Sequence, residues 1–241
     1  MSLTFGSLFA GIGGFDLGLE RAGMTCRWQV ENDPYAQRVL ANHWPDVPRW
    51  DDIRSFPPGP SVEDWRVDLL CGGDPCQENS NARKGDYCSQ PSLGSEFIRV
   101  VDVLRPRLVL RENPSSVRRD APWPWRRFRS ELESLGYAVL PFRLRACCFG
   151  ADHRRDRLFL LGEMADANAK RPQRTIIKEV ETAETWEDRF YTVYGRDRRS
   201  PTPRVSRAGD GVSHRLERIG CLGNAVVPAV AQWIGERILE S

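Results

Sequence analysis

Cys76 and Glu112 are the residues of this chain best placed for covalent chemistry. Cys76 follows the apolar run Val67-Asp68-Leu69-Leu70-Cys71 and the turn Gly72-Gly73-Asp74-Pro75, so it stands where a strand exits into a loop. Gln77, Ser80 and Arg83 come next, in a tract of Asn, Ser, Arg, Lys and Gly with the composition of a segment that closes over a bound molecule. A cysteine is a strong nucleophile where its surroundings favour the thiolate. The plainer alternative is a buried structural cysteine, and the Gly-Gly-Asp-Pro setting speaks for the nucleophile. Glu112, followed by Asn113 and Pro114, ends a second apolar stretch at 108–111. A glutamic acid there can protonate or hydrogen-bond a ring nitrogen; otherwise it is a solvated strand end. A thiolate and a carboxyl on neighbouring strand tips can attack and protonate one heteroaromatic ring.

The elements that would position them alternate. Strands are expected at 3–9, 26–30, 67–71, 108–111, 138–142 and 157–161. Helical spacing is expected from Phe15 to Ala22 before Gly23, over 34–42 behind Pro34, over 95–104 before Pro106, and over 125–135 before Gly136. A last helix follows Pro228, with Val230, Ile234 and Ile238 on one face. Residues 51–53 are expected in a loop. Alternation of this kind predicts an α/β fold with a mostly parallel sheet. In such sheets ligands collect outside the carboxyl ends of the strands. The turn Ala10-Gly11-Ile12-Gly13-Gly14, Glu31, Cys76 and Glu112 all fall at such ends. A glycine-rich turn after a strand is a weak signal alone, but with Glu31 placed to bind ribose hydroxyls it points to a nucleoside cofactor.

Composition narrows the class. A chain of 241 residues, 40% apolar and 28% charged, suffices for one large α/β domain with a core. No apolar run approaches the ~20 residues that span a bilayer, and Met1–Phe5 lacks a signal-peptide pattern, so no membrane partner and an intracellular location are expected. Seven cysteines without a C-x-x-C pair argue against a metal site and against a disulfide framework. Net charge is only +2, yet of 35 lysines and arginines only Lys84, Lys170 and Lys178 are lysine. Arginines cluster at 118–119, 126–129, 154–157 and 196–199. A GC-rich genome explains arginine usage in general; clusters near the proposed site suggest a polyanion.

Taken together these residues resemble the DNA (cytosine-5)-methyltransferases. Phe9-Ala10-Gly11-Ile12-Gly13-Gly14 looks like the family's S-adenosylmethionine (SAM) loop, Glu31 with Asn32 like its ribose-binding acid, and Asp52-Ile53 like the adenine-side motif. Pro75-Cys76-Gln77, with Ser80 beyond, is similar to the nucleophile motif, and Glu112-Asn113 to the pair that handles a flipped base. His153-Arg154-Arg155-Asp156-Arg157 resembles the Gln-x-Arg-x-Arg motif. Asn224-Ala225-Val226, within 223–228, resembles the last motif, which returns to the cofactor side. The resemblance covers 4–162 and 216–239.

It implies a Rossmann-like SAM-dependent methyltransferase fold, with residues 1–163 catalytic, 164–215 a short target-recognition segment, and 216–241 the returning motif and helix. It implies Cys76, Glu112, Arg155 and Arg157 as catalytic residues, and Gln77, Ser80, Arg83 and Asn113 as substrate contacts. Pro75, Asn224, Ala225 and Val226 join the cofactor set. The reaction implied is methylation of carbon 5 of cytosine, with Cys76 adding to carbon 6 of a base flipped from double-stranded DNA. A cytoplasmic setting in a bacterial or phage-infected cell follows, with a restriction endonuclease or a second copy of the chain as candidate partners. RNA cytosine-5 methylation and a non-catalytic SAM- or DNA-binding regulator are the alternatives. Three departures stand out: Asp74 where the family commonly has an apolar residue or Pro, Pro114 for Val, and His153 for Gln. Asp74, two residues before the nucleophile, is expected to raise its pKa and slow it.

Overall fold

The computed structural model describes residues 2–59, 61–75, 93–114, 125–151, 155–164 and 225–240. Cys76, Gln77, Ser80, Arg83, Asn224 and nearly all of the expected recognition segment lie outside the described residues.

Seven strands form one sheet in the order β3-β2-β1-β4-β5-β7-β6. They are β1 Thr4–Leu8, β2 Thr25–Val30, β3 Arg49–Trp50, β4 Leu69–Gly72, β5 Leu108–Pro114, β6 Tyr137–Arg145 and β7 Asp156–Met164. The pairs from β3 through β5 are parallel, and β7 runs antiparallel to both β5 and β6. The expected mostly parallel α/β sheet is therefore present. Leu69–Cys71 of β4 and Leu108–Leu110 of β5 read as unbroken apolar runs because both faces of the sheet are covered there. Leu69, Cys71, Leu108, Leu110, Phe159 and Leu161 face one core with Phe15, Leu19, Val230 and Ile234. Leu70, Val109 and Leu160 face the other, with Phe97, Val101, Phe128 and Leu132.

Helices α1 Gly14–Ala22 and α5 Pro228–Leu239 cover the first face, and α3 Gly94–Leu104 and α4 Trp125–Ser134 the second. Helix α2, Pro34–His43, starts at a good cap: Asp33 accepts the Ala36 N–H at 2.8 Å and Pro34 occupies the first turn. The α1–α5 contact is close because its residues are small. A Cβ on Gly18 would lie 2.4 Å from the Pro228 carbonyl oxygen, and one on Gly14 would lie 2.2 Å from that of Val226. The C-terminal helix thus docks directly on the helix that follows the glycine-rich turn.

Three features have no clear signal in the sequence. The two-residue strand β3 is too short for a periodic signal. A 3-10 turn, Ile53–Ser55, stands where a loop was expected, capped by Asp52, which accepts the Arg54 N–H at 2.9 Å. The reversal of β7 follows from its pairing with both neighbours, which spacing alone does not encode. Among the described residues no helix is long and apolar enough to cross a membrane.

Candidate active site

The parallel strands deliver most of the predicted residues to one edge of the sheet. The turn after β1 opens with Phe9 at φ 52, and Gly11 and Gly13 follow at φ 57 and 83. Glycine takes that left-handed region without the Cβ clash other residues suffer. The turn is tied to its neighbours: the Ala10 N–H donates to the Val30 carbonyl at 3.0 Å, and the Gly11 N–H donates to Glu31 Oε2 at 2.7 Å. Glu31 Oε1 also accepts the Asp33 N–H at 2.8 Å. Two backbone amides therefore aim this nearly buried carboxylate across the glycine-rich turn. Asn32 beside it is exposed.

Asp52 and Ile53 stand after β3, Ile53 buried and Asp52 half exposed. Arg99 of α3 holds this segment, its Nη2 donating to the Ile53 and Phe56 carbonyls at 2.6 and 2.7 Å. Nothing in the sequence marks Arg99, because its acceptors are backbone atoms more than 40 residues away. Trp44 is a second unmarked support: a Cβ on Gly13 would lie 2.4 Å from its ring.

At the centre, β4 ends in Gly72 and leads through Gly73, Asp74 and Pro75 toward Cys76. Beside it, β5 carries Glu112 and Asn113, both nearly fully buried. Because β7 is antiparallel, its first residues, not its last, lie at this edge: Pro114 pairs with Arg157 and Glu112 with Phe159. Arg157 Nε lies 2.7 Å from Glu112 Oε1. Arg155, with φ 26 in the left-handed region, donates from Nη2 to the Ala225 carbonyl at 2.5 Å. That bond joins the start of β7 to the segment before α5. Glu112, Arg155, Arg157, Leu144, Phe159 and Val226 line one small cavity.

The electrostatics are those of a guarded acid. Burial pushes the Glu112 carboxyl above the usual glutamate range, with Arg157 and Arg155 pulling against that rise. Burial and the neighbouring Arg157 push Arg155 below the usual arginine range, while Glu112 raises it. A buried carboxyl with a raised pKa beside two guanidiniums is the kind of group that can share a proton with a bound ring. Among the described residues, no group of three or more His, Cys, Asp or Glu could hold a metal ion.

The Asp74 carboxylate is buried and paired with Arg111, Oδ1 lying 2.5 Å from Nε and Oδ2 2.7 Å from Nη2; Cys76, whose pKa it is expected to raise, lies outside the described residues. The arginine cluster of α4 also does other work. Arg127 and Arg129 pair with Glu131 and Glu133 one turn on, each at 2.8 Å.

The chain thus brings a glycine-rich turn, a second-strand acid and a buried Glu-Arg pair to one end of a doubly covered, mainly parallel sheet. The profile of the C-5 cytosine-specific DNA methylases matches residues 3–198, and the chain belongs to that family. Among curated relatives, type II methyltransferase M2.BsuMI of Bacillus subtilis is 34% identical over 165 residues, covering 66% of this chain and 41% of the relative. M.HhaI of Haemophilus parahaemolyticus is 30% identical, with 69% and 50% covered. M.AquIA of Picosynechococcus is 31% identical, with 70% and 75% covered. The chain thus spans half or less of the first two and three quarters of the third. Among solved structures, a prophage-encoded protein of E. coli described as a DNA modification methyltransferase superposes with a TM-score of 0.54 at 27% identity, over 68% of this chain and 47% of that one. Dnmt2 of S. pombe shares the fold, with a TM-score of 0.54 at 18% identity over 76% of this chain and 57% of that one.

Proposed function

We propose that the chain transfers a methyl group from SAM to carbon 5 of cytosine in double-stranded DNA, as a modification methyltransferase of the restriction-modification kind. The observation that carries this is the buried Glu112 bridged to Arg157 beside the Gly72–Pro75 exit that leads to Cys76.

The residues present fit the cofactor. Gly11 has open space where a Cβ would be, its N–H is already oriented by Glu31, and Glu31 is held by two amides. Phe9 through Gly14 would hold the nucleoside with Glu31 and Asn32, Asp52 and Ile53 the adenine side, and Pro75 with Asn224, Ala225 and Val226 the remaining flank. When bound, SAM supplies an electrophilic methyl on a sulfonium. The Cys76 thiolate adds to carbon 6 of the flipped base, forming a C–S bond and pushing the ring electrons toward carbon 5. Glu112 delivers a proton to, or shares one with, ring nitrogen 3, so the electron pair does not accumulate as a full charge. Arg157 contacts the base carbonyl and keeps Glu112 in place, and Arg155 braces the Ala225 side. After methylation water removes the carbon 5 proton, the C–S bond breaks and Cys76 leaves as thiolate. Gln77, Ser80, Arg83 and Asn113 hold the substrate.

Residues 1–163 form the catalytic body, 164–215 the recognition segment and 216–241 the returning motif. The protein acts in the cytoplasm of a bacterial or phage-infected cell, with a restriction endonuclease or a second copy as further partner. The test is methyl transfer from labelled SAM into duplex DNA, with RNA as a parallel acceptor and base-resolution mapping of the product. Label at cytosine carbon 5 in DNA is expected. Label in RNA alone, or in neither, contradicts the reading.

A further inference from the structure

Asp74 and Arg111 are both nearly inaccessible, their side chains 5% and 3% exposed. The guanidinium meets the carboxylate through two nitrogens, a fork geometry that fixes orientation as well as charge. It also lies 4.1 Å from the centre of the Phe128 ring. Two residues along the same face of β5, Asn113 Nδ2 donates to the Asp74 carbonyl at 3.4 Å. The β4 exit is therefore gripped by side chain and main chain together. On the opposite face of β5, between these two residues, stands Glu112. Gly73 lies against it, since a Cβ there would come 3.0 Å from Glu112 Oε2. The tether of the segment leading to Cys76 and the proposed acid are successive residues of one strand. Apolar side chains could fill this space at no desolvation cost, so a buried ion pair is not needed for stability alone.

Resting on the proposed methyl-transfer reading, we infer that the Asp74–Arg111 pair is a positioning device: it locks the β4 exit against β5 so that the Cys76 segment and Glu112 address one base, and it cancels the Asp74 charge beside Glu112. Among the described residues, the charged groups that act on Glu112 are Arg157 and Arg155, which lower its carboxyl, and Asp74, across the strand, which raises it. Removing Arg111 leaves the Asp74 charge uncompensated there. Glu112 then titrates at higher pH, and a rate that needs its proton declines at higher pH.

The test compares wild type, Arg111→Met, and the double variant Asp74→Leu/Arg111→Met. It follows single-turnover adduct formation with 5-fluorocytosine duplex across pH, SAM affinity by calorimetry, and Cys76 alkylation by iodoacetamide with peptide mapping. Arg111→Met is expected to slow adduct formation by about 30-fold or more, because a buried unpaired charge distorts its surroundings. SAM affinity stays within about 3-fold, since the cofactor turn is held by other bonds. The alkaline limb moves to higher pH, and the double variant recovers both rate and limb. A single-variant rate equal to wild type, a fall matched by lost SAM affinity, an unmoved alkaline limb, or a double variant no better than the single overturns the inference. Should Arg111→Met not fold, Asp74→Asn carries the test: it keeps the shape and weakens the fork, and an adduct rate equal to wild type overturns the inference. A wild type that forms no adduct sinks the methyl-transfer reading instead. The pair is then judged on Cys76 alkylation, where equal rates in wild type and variant overturn it and altered rates support it.

Discussion

Glu112 is held by opposed influences, burial raising its carboxyl and Arg157 and Arg155 drawing it down. Replacing it by Gln keeps the shape and removes the proton. Glu112→Gln is expected to slow single-turnover methyl transfer by about 10²–10⁴-fold with SAM affinity unchanged. The wild-type rate falls as pH rises through the raised Glu112 pKa, and the variant loses that limb. Asp16 offers a separate test of buried charge. It accepts from Gln29 Nε2 at 2.8 Å and Ser7 Oγ at 3.1 Å, and burial raises its pKa from 3.8 to about 6. A carboxyl raised by folding binds its proton more tightly in the native state, so its contribution is fully present below the unfolded value and lost as pH rises through about 6. Thermal stability should therefore fall between about pH 4 and pH 7, by on the order of 3 kcal/mol. In Asp16→Asn, whose amide can still meet Gln29 and Ser7, that slope should vanish; an equal slope in both proteins would contradict the assignment. The sequence marks Cys76, Glu112 and Arg157 because each sits at a strand end or in a motif. It does not mark Arg111, which reads as an ordinary strand residue until the β4–β5 register sets Gly72 beside it.

At the scale of elements, the join between α1 and α5 sets Val226 and Pro228 against the helix that follows the glycine-rich turn. Gly14 and Gly18 let the helices touch, and a Cβ on Gly235 would come 2.8 Å from that of Ala22. Gly18→Ala puts a methyl against the Pro228 carbonyl, which cannot yield without moving α5. It is expected to cost about 1–3 kcal/mol in chemical denaturation and to weaken SAM binding, because Ala225 and Val226 move with the helix. Unchanged SAM affinity in a destabilised protein would separate the helix join from the cofactor site. Most elements were legible from their periods and caps, as with Pro34 and Pro228 at helix starts. The orientation of β7 was not, and it is the reversal that lets Arg157 reach Glu112. Spacing tells that a strand exists; only its partners tell which way it runs.

Over the whole molecule, the arginine clusters at 118–119, 126–129, 154–157 and 196–199 suggest a polyanionic substrate, and in one of them Arg127 and Arg129 on α4 are engaged with glutamates of their own helix. Such exposed pairs contribute little to stability, and their charge is already matched. The double variant Arg127→Ala/Arg129→Ala should change DNA affinity by less than about 2-fold across a salt series, whereas a steep loss would place α4 at the DNA. The family match spans 3–198, while the last motif and its helix lie beyond it and dock on the first helix. The helix that follows Pro228 thus packs against the helix that follows the glycine-rich turn, bringing residues 225–227 beside it.

The central claim is that Cys76 attacks cytosine. Duplex DNA carrying 5-fluorocytosine tests it most directly, because the fluorine cannot leave as a proton does and the C–S bond persists. With SAM present, wild type should form a denaturation-stable adduct whose mass places methylated fluorocytosine on the peptide containing Cys76, and Cys76→Ala should form none. No adduct with wild type, or an equal adduct with Cys76→Ala, would contradict the account.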